Sequence, residues 1–96
     1  MSCYFIARIR IHNREEYARY EAGFDEVFAR YRGELVAADN HPVVLEGVCR
    51  DSRVIVIRFP DEVEAKRWYD SEDYQALARH RFRSSEANVI LVNGKV

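Results

Sequence analysis

The chain predicts an α+β fold, a four-stranded antiparallel sheet with two main helices on one face in the order β-α-β-β-α-β. Three observations predict it. Residues 3–11 alternate: Phe5, Ala7, Ile9 and Ile11 point one way, and Tyr4, Ile6, Arg8 and Arg10 the other. That two-residue period belongs to a strand with one wholly apolar face and one mixed face. Tyr17, Tyr20, Phe24, Val27, Phe28 and Tyr31 then recur at spacings of three and four, the stripe of an amphipathic helix. Finally, the block running from Phe59-Pro60 through Trp68-Tyr69 and Ser71 to Tyr74 joins a β-branched strand (residues 53–59) to an acidic, cappable helix start.

Taken in order, the first strand ends before Asn13, which reads as an N-cap with Glu16 three residues on, an Asn variant of the capping box. Gly23 inside the first helix should cost about 1 kcal/mol relative to Ala, so close packing is expected there. Gly33 reads as the helix terminator. Residues 34–38 and 43–48 form an interrupted strand, broken at Asp39-Asn40-His41-Pro42 because Pro42 cannot donate to a ladder. A short turn over residues 49–52 leads to strand 53–59. Asp61 with Glu64 repeats the cap arrangement, and Ala65, Trp68 and Tyr69 form the inward stripe of the second helix. Ser71 caps a further helical segment bearing Tyr74, Leu77, Ala78 and Arg81, and residues 87–92 are the last strand, ended by Asn93-Gly94. Right-handed crossovers and a central hairpin order the sheet 4-1-3-2, the ferredoxin-like arrangement, in a single domain over residues 1–96.

Composition narrows the function classes. A chain of 96 residues buries only about 60–70% of the surface its unfolded form exposes, so a partner subunit would help its stability. A net charge of -1 gives no general attraction to nucleic acid or anionic membrane. Arg8 and Arg10 interrupt the N-terminal apolar run, so it serves neither as a signal-peptide core nor as a membrane span, and a cytoplasmic location is expected. Cys3 and Cys49 make neither a disulfide scaffold nor a close metal pair and read as buried thiols. With no metal spacing, phosphate loop or haem-ligand motif, no cofactor is expected.

The helices should cover Phe5, Ala7, Ile9, Ile11, Ile55, Ile57 and Phe59. The opposite sheet face would carry Tyr4, Ile6, Arg8, Arg10, Val44, Glu46, Val54, Val56, Arg58, Ile90 and Val92. That face is too apolar for open solvent, and two such sheets packed face to face would make a barrel-like homodimer. Within it Arg8 and Arg10 lie beside Arg58. Glu46 is the expected partner of one, and a bound carboxylate or phosphate would suit another. The competing reading has these arginines at the rim, snorkelling to water or pairing across the dimer. RNA-recognition modules share the topology, but only Tyr4 could stack a base here.

The residues Tyr4-Phe5-Ile6-Ala7, Tyr17, Tyr20, Gly33, Leu45-Glu46-Gly47, Phe59-Pro60, Trp68-Tyr69, Ser71, Tyr74 and Arg81 resemble the bacterial family called domain of unknown function 1330, of the dimeric α/β-barrel superfamily. The resemblance covers nearly the whole chain and implies that fold, with no settled activity. Related dimeric α/β barrels include cofactor-free monooxygenases, isomerases and dehydratases. Among individual side chains, His12, His41 and His80 share no metal spacing and read as surface or loop histidines, with His41 placed at a strand break of the kind that lines a barrel mouth. Trp68 reads as core and Ser71 as a cap. Tyr74 and Arg81 share a helical face and suit either a small acid or a plain cap-and-core role. Two functions follow. One is a homodimer binding a small anionic or phenolic metabolite through Arg8, Arg10, Glu46, Arg58, Tyr74 and Arg81. The other is a cofactor-independent enzyme using His41, Tyr74 or Glu46 for proton transfer. A sealed, salt-bridged interface without a cavity would instead mean a purely structural role.

Overall fold

A computed structural model describes residues 2–50 and 53–95. Strand β1 (Cys3–Ile11) leads into helix α1 (Arg14–Phe28). Strands β2 (Glu34–Asp39) and β3 (Arg53–Phe59) follow, then the short helix α2 (Glu62–Tyr69), helix α3 (Glu72–Ser84) and strand β4 (Ser85–Asn93). The sheet is antiparallel in the order β2-β3-β1-β4, as the crossover rule requires. Strand β1 is central because both of its edges pair: Phe5 faces Ile57 on one side and Leu91 on the other. Its alternation is realised in full. Cys3, Phe5, Ala7 and Ile9 are buried, while Arg8 and Arg10 are exposed.

The core lies between the sheet and the helices. Ile57 and Phe59 join the inward residues of β1, and Tyr17, Tyr20, Ala65, Trp68, Tyr74 and Ala78 descend from the helices. Trp68 is fully buried and meets Phe5 edge-on at 5.0 Å, Phe59 at 5.4 Å and Tyr74 at 4.2 Å. The molecule measures 33 × 31 × 16 Å, two layers thick, and among the described residues no element covers the far face of the sheet.

Four features differ from the sequence reading. Residues 43–48 are not a strand: β2 stops at Asp39, and residues 40–50 carry no regular structure. Val43, Leu45 and Val48 are therefore exposed, and neither Val44 nor Glu46 sits on the sheet. The expected turn over residues 49–52 lies partly outside the described residues. Second, α1 ends at Phe28, tightening through Arg30 N–H to Val27 O and Tyr31 N–H to Phe28 O. Third, Gly33 does not adopt a positive φ, so it terminates nothing by handedness. A Cβ there would lie 2.5 Å from the Phe28 ring and 2.7 Å from the Phe59 ring, so the glycine is needed for close approach. Fourth, a register shift between Leu35 and Ala37 bulges β2 at Val36.

The caps of α1 and α2 each form only half of a capping box. Asn13 Oδ1 accepts Glu16 N–H at 3.1 Å and Asp61 Oδ1 accepts Glu64 N–H at 2.8 Å, as the sequence predicts. The two glutamate carboxylates, however, turn away from their own caps to other partners. Glu16 takes His80 of α3. Glu64 accepts Arg32 N–H at 3.0 Å and holds Arg67 by two bonds of 2.9 Å. The Arg67 hydrogen bonds, followed by the Arg32 N–H, hold the Glu64 carboxyl down at about 2.

Gly33→Ala should lower stability by about 1–3 kcal/mol, because two packed rings must move. Gly23→Ala should be near neutral: a Cβ there meets only the flexible end of Leu77, at 2.6 Å, and gains helix propensity in return. Urea unfolding of both variants measures this, and a Gly33→Ala midpoint equal to the parent's would refute the steric role.

Glu64→Gln gives a pH-dependent test. The folded-state pKa lies below the ordinary 4.5, so the carboxylate's contribution is complete above that pH and is lost as pH falls towards about 2. The variant should be less stable by about 1–2 kcal/mol at pH 7. The gap should close between pH 4.5 and about 2. A gap that stays constant across that window would show that the charge contributes nothing.

Candidate functional site

A cavity of about 200 Å³ opens between α1 and the sheet. Phe5, Ala7 and Ile9 of β1 and Ile55 and Ile57 of β3 form its floor. Tyr17, Tyr20 and Phe24 of α1 roof it, and Leu35 of β2 closes one side. Parity explains the floor, since each of these strand residues points towards the helices. The bulge at Val36 leaves Leu35 opposite Ile57 and thus on the inner face. Four charged residues complete the lining: Glu21 and Asp25, exposed at the rim, with Arg53 and Arg81 further in.

Arg81 is only 4% exposed. A buried charge costs several kcal/mol unless paired, yet among the described residues Arg81 has no carboxylate partner. Its position in the last turn of α3 favours a cation. Its guanidinium carbon also lies 5.0 Å from the Phe82 ring centroid and 5.9 Å from that of Tyr20. Burial works against its charge, but the neighbouring Tyr74 and Tyr20 phenols together raise its pKa. One nitrogen, Nη2, is buried without a hydrogen-bond partner.

The phenols beside it are held protonated. Tyr20 and Tyr74 share a 2.8 Å hydroxyl–hydroxyl hydrogen bond. Burial pushes the Tyr20 pKa well up, and burial also raises that of Tyr74 despite the opposing pull of Arg81. These hydroxyls are donors at neutral pH, not bases. Arg53 stands opposite Ile9 in register and so faces the helices. Its Nη1 donates to Asn40 Oδ1 at 2.8 Å, its Nη2 lies 3.6 Å from Glu21 Oε2, and its Nε is buried without a partner. Burial raises the Tyr17 pKa, while Arg53 and, after it, Arg81 act to lower it.

The expected site residues divide between the two faces of the sheet. Tyr74 and Arg81 lie beneath the helices. Arg8, Arg10 and Arg58 are exposed on the opposite face. Arg58 does not take Glu46: the register sets Glu34 directly opposite, and Arg58 Nη2 donates to Glu34 Oε2 at 2.6 Å. Arg10 lies 4.0 Å from Glu86. Glu46 and His41 are exposed in the irregular segment 40–50, where His41 N–H bonds Asp39 Oδ1 at 2.8 Å. His12 is exposed, and His80 binds Glu16 rather than standing free. Cys3 is buried, and burial raises its thiol pKa, whereas Cys49 is only half-buried. Among the described residues no His, Cys, Asp or Glu cluster could hold a metal, and no helix is long and apolar enough to cross a membrane. The sequence reading missed Arg53 and Tyr20. For Arg53 the signal was present, because residues 53, 55, 57 and 59 share one face and Arg53 is its lone charge.

Several solved structures share this architecture. A protein of unknown function from Rhodopseudomonas palustris superposes with a TM-score of 0.80 at 16% identity, covering 99% of this chain and 83% of that one. SnoaB, a cofactor-independent oxygenase from Streptomyces nogalater, gives 0.72 at 17% identity, over 99% and 94% of the two chains. A dimeric ferredoxin-like protein of unknown function from Thermobifida fusca gives 0.68 at 12% identity, over 96% and 90%. At these identities the likeness is one of fold, and the fold is ferredoxin-like. No curated protein matches the sequence. The sequence relationship is to a family: residues 2–95 match the domain of unknown function DUF1330, and the chain belongs to it.

Proposed function

We propose that this protein is a homodimer that binds a small organic anion in the cavity between α1 and the sheet. The carrying observation is Arg81, a buried cation with an unpartnered N–H that lines an apolar cavity. A bound anion would supply the missing charge and hydrogen bond together. Binding is favoured over turnover because Tyr20 and Tyr74 keep their protons, and because His41 and Glu46 lie outside the cavity lining.

The dimer reading draws on the open sheet face. Ile90 is 57% and Val92 40% exposed there, beside the half-buried Tyr4, Ile6, Val54 and Val56. A contiguous apolar face of this kind calls for a cover, and a second copy of the sheet would supply one, with Arg8, Arg10 and Arg58 at its border.

Light scattering should give twice the 11.3 kDa chain mass, and Ile90→Glu should shift the population to monomer. A parent that stays monomeric at micromolar concentration would end the dimer reading.

For the cavity, a thermal-shift panel of aromatic and short aliphatic acids and phenols should contain stabilising members. At one hundred times Kd, the gain should be about 2.7 kcal/mol. Leu35→Trp, which fills the cavity from a half-exposed position, and Arg81→Met should both abolish that gain. Failure of the whole panel, or equal stabilisation of Leu35→Trp, would refute the site.

A further inference from the structure

We infer that the cavity recognises a monocarboxylate carrying a ring-sized apolar body, its head held between Arg81 and Arg53 and its body directed towards Phe24 and Leu35. This deepens, and depends on, the reading of the cavity as a ligand site.

The cavity lining combines two cations with hydrocarbon. Arg53 and Arg81 both belong to it, and each has one buried N–H without a partner, Nε and Nη2 respectively. Phe24, Leu35 and Ile57 complete the lining with hydrocarbon. Two unpartnered donors on different guanidinium groups match the two oxygens of one carboxylate, where a phenolate would offer a single oxygen.

Charge sets the valence of the head group. Arg53 is already balanced, with Glu21 at 3.6 Å and its Nη1 committed to Asn40. Arg81 has no carboxylate within ion-pair distance among the described residues, and a monoanion beside it supplies one. A second negative group would meet either the hydrocarbon lining or the Asp25 and Glu21 carboxylates at the rim. Both are unfavourable. Volume sets the body. At about 200 Å³ the cavity is smaller than the roughly 300–1,000 Å³ of pockets for drug-sized ligands, which suits a single ring. Arg53 is thereby a specificity-determining residue. Through Asn40 it also ties head-group recognition to the irregular segment that follows β2.

Isothermal titration of the whole chain with four probes tests this: benzoate, the neutral benzyl alcohol, and the dianions phenyl phosphate and benzene-1,4-dicarboxylate. Benzoate should bind at least tenfold more tightly than each of the others. Arg53→Gln should weaken benzoate at least tenfold while its melting curve stays within a few degrees of the parent. Asp25→Asn, an exposed change at the rim that does not threaten folding, should strengthen the dicarboxylate by a larger factor than benzoate. Equal or tighter binding of either dianion, or an unchanged benzoate affinity in Arg53→Gln, overturns the head-group assignment. If all four probes fail while another acid binds in a manner that Leu35→Trp blocks, the cavity reading survives and this assignment falls. If no acid binds at all, both fall.

Discussion

The indole of Trp68 is where the elements of this fold meet. It has no exposed surface, and its ring packs against Phe5 of β1, Phe59 of β3, Phe24 and Phe28 of α1 and Tyr74 of α3. A helix of eight residues could not hold its place by backbone bonds alone. It is fixed because Pro60 and the Asp61 cap deliver Trp68 into this cluster two turns later. The packing is tight enough that the indole N–H is buried without a partner, an expense of about 1–3 kcal/mol that the aromatic contacts outweigh. The cavity begins where this cluster ends. Phe5 and Phe24 belong to both, and Tyr74, tilted against Trp68, carries the hydroxyl that meets Tyr20.

Around that centre, short-range signals serve long-range purposes. In a complete capping box the glutamate three residues after the cap would return to its own helix start. Here Glu16 instead joins α1 to α3 through His80, and Glu64 joins α2 to the turn before β2 through Arg32. Ser71 keeps the local role, accepting Tyr74 N–H at 3.2 Å while donating to Trp68 O at 2.7 Å, and so sets the corner between α2 and α3. Asp73 gathers Arg30 and Tyr31 from the end of α1, each at 2.8 Å. The helices are thus bound to one another by groups whose sequence positions advertise only helix starts.

The legible parts of this chain are those with a strict period. Alternation in β1 and β3 assigned the inward residues from Phe5 to Ile11 and from Ile55 to Phe59, though not Arg53, and the three-and-four spacing of α1 assigned its buried stripe. Tyr31 reaches the core even though the helix has already ended. The illegible parts break period. Residues 43–48 have the β-branched composition of a strand, but the preceding polar tetrad ends the pairing and nothing restarts it. Glu46 was therefore assigned a face it does not have, and Arg58 found Glu34 through a register that composition does not encode. The bulge at Val36 cannot be read from alternation at all. The candidate site was half legible. Tyr74 and Arg81 share a helical face in the sequence, but joining them to Tyr20 and Arg53 requires knowing that α1 and α3 lie over the same end of β1 and β3.

The position of β1 in the sheet also bears on how the chain reaches this structure. The first strand made is the central one, and its two partners come later: β3 from the middle of the chain and β4 last of all the elements. Until Ser85–Asn93 emerges from a ribosome, one edge of β1 has no ladder, while its neighbouring face already bears Phe5 and Ile9. Pairings between such distant segments incur a large loop-closure entropy before they return any contact, and they slow folding. During synthesis the half-made sheet therefore presents an unpaired hydrophobic edge, the feature that makes partly folded chains aggregate.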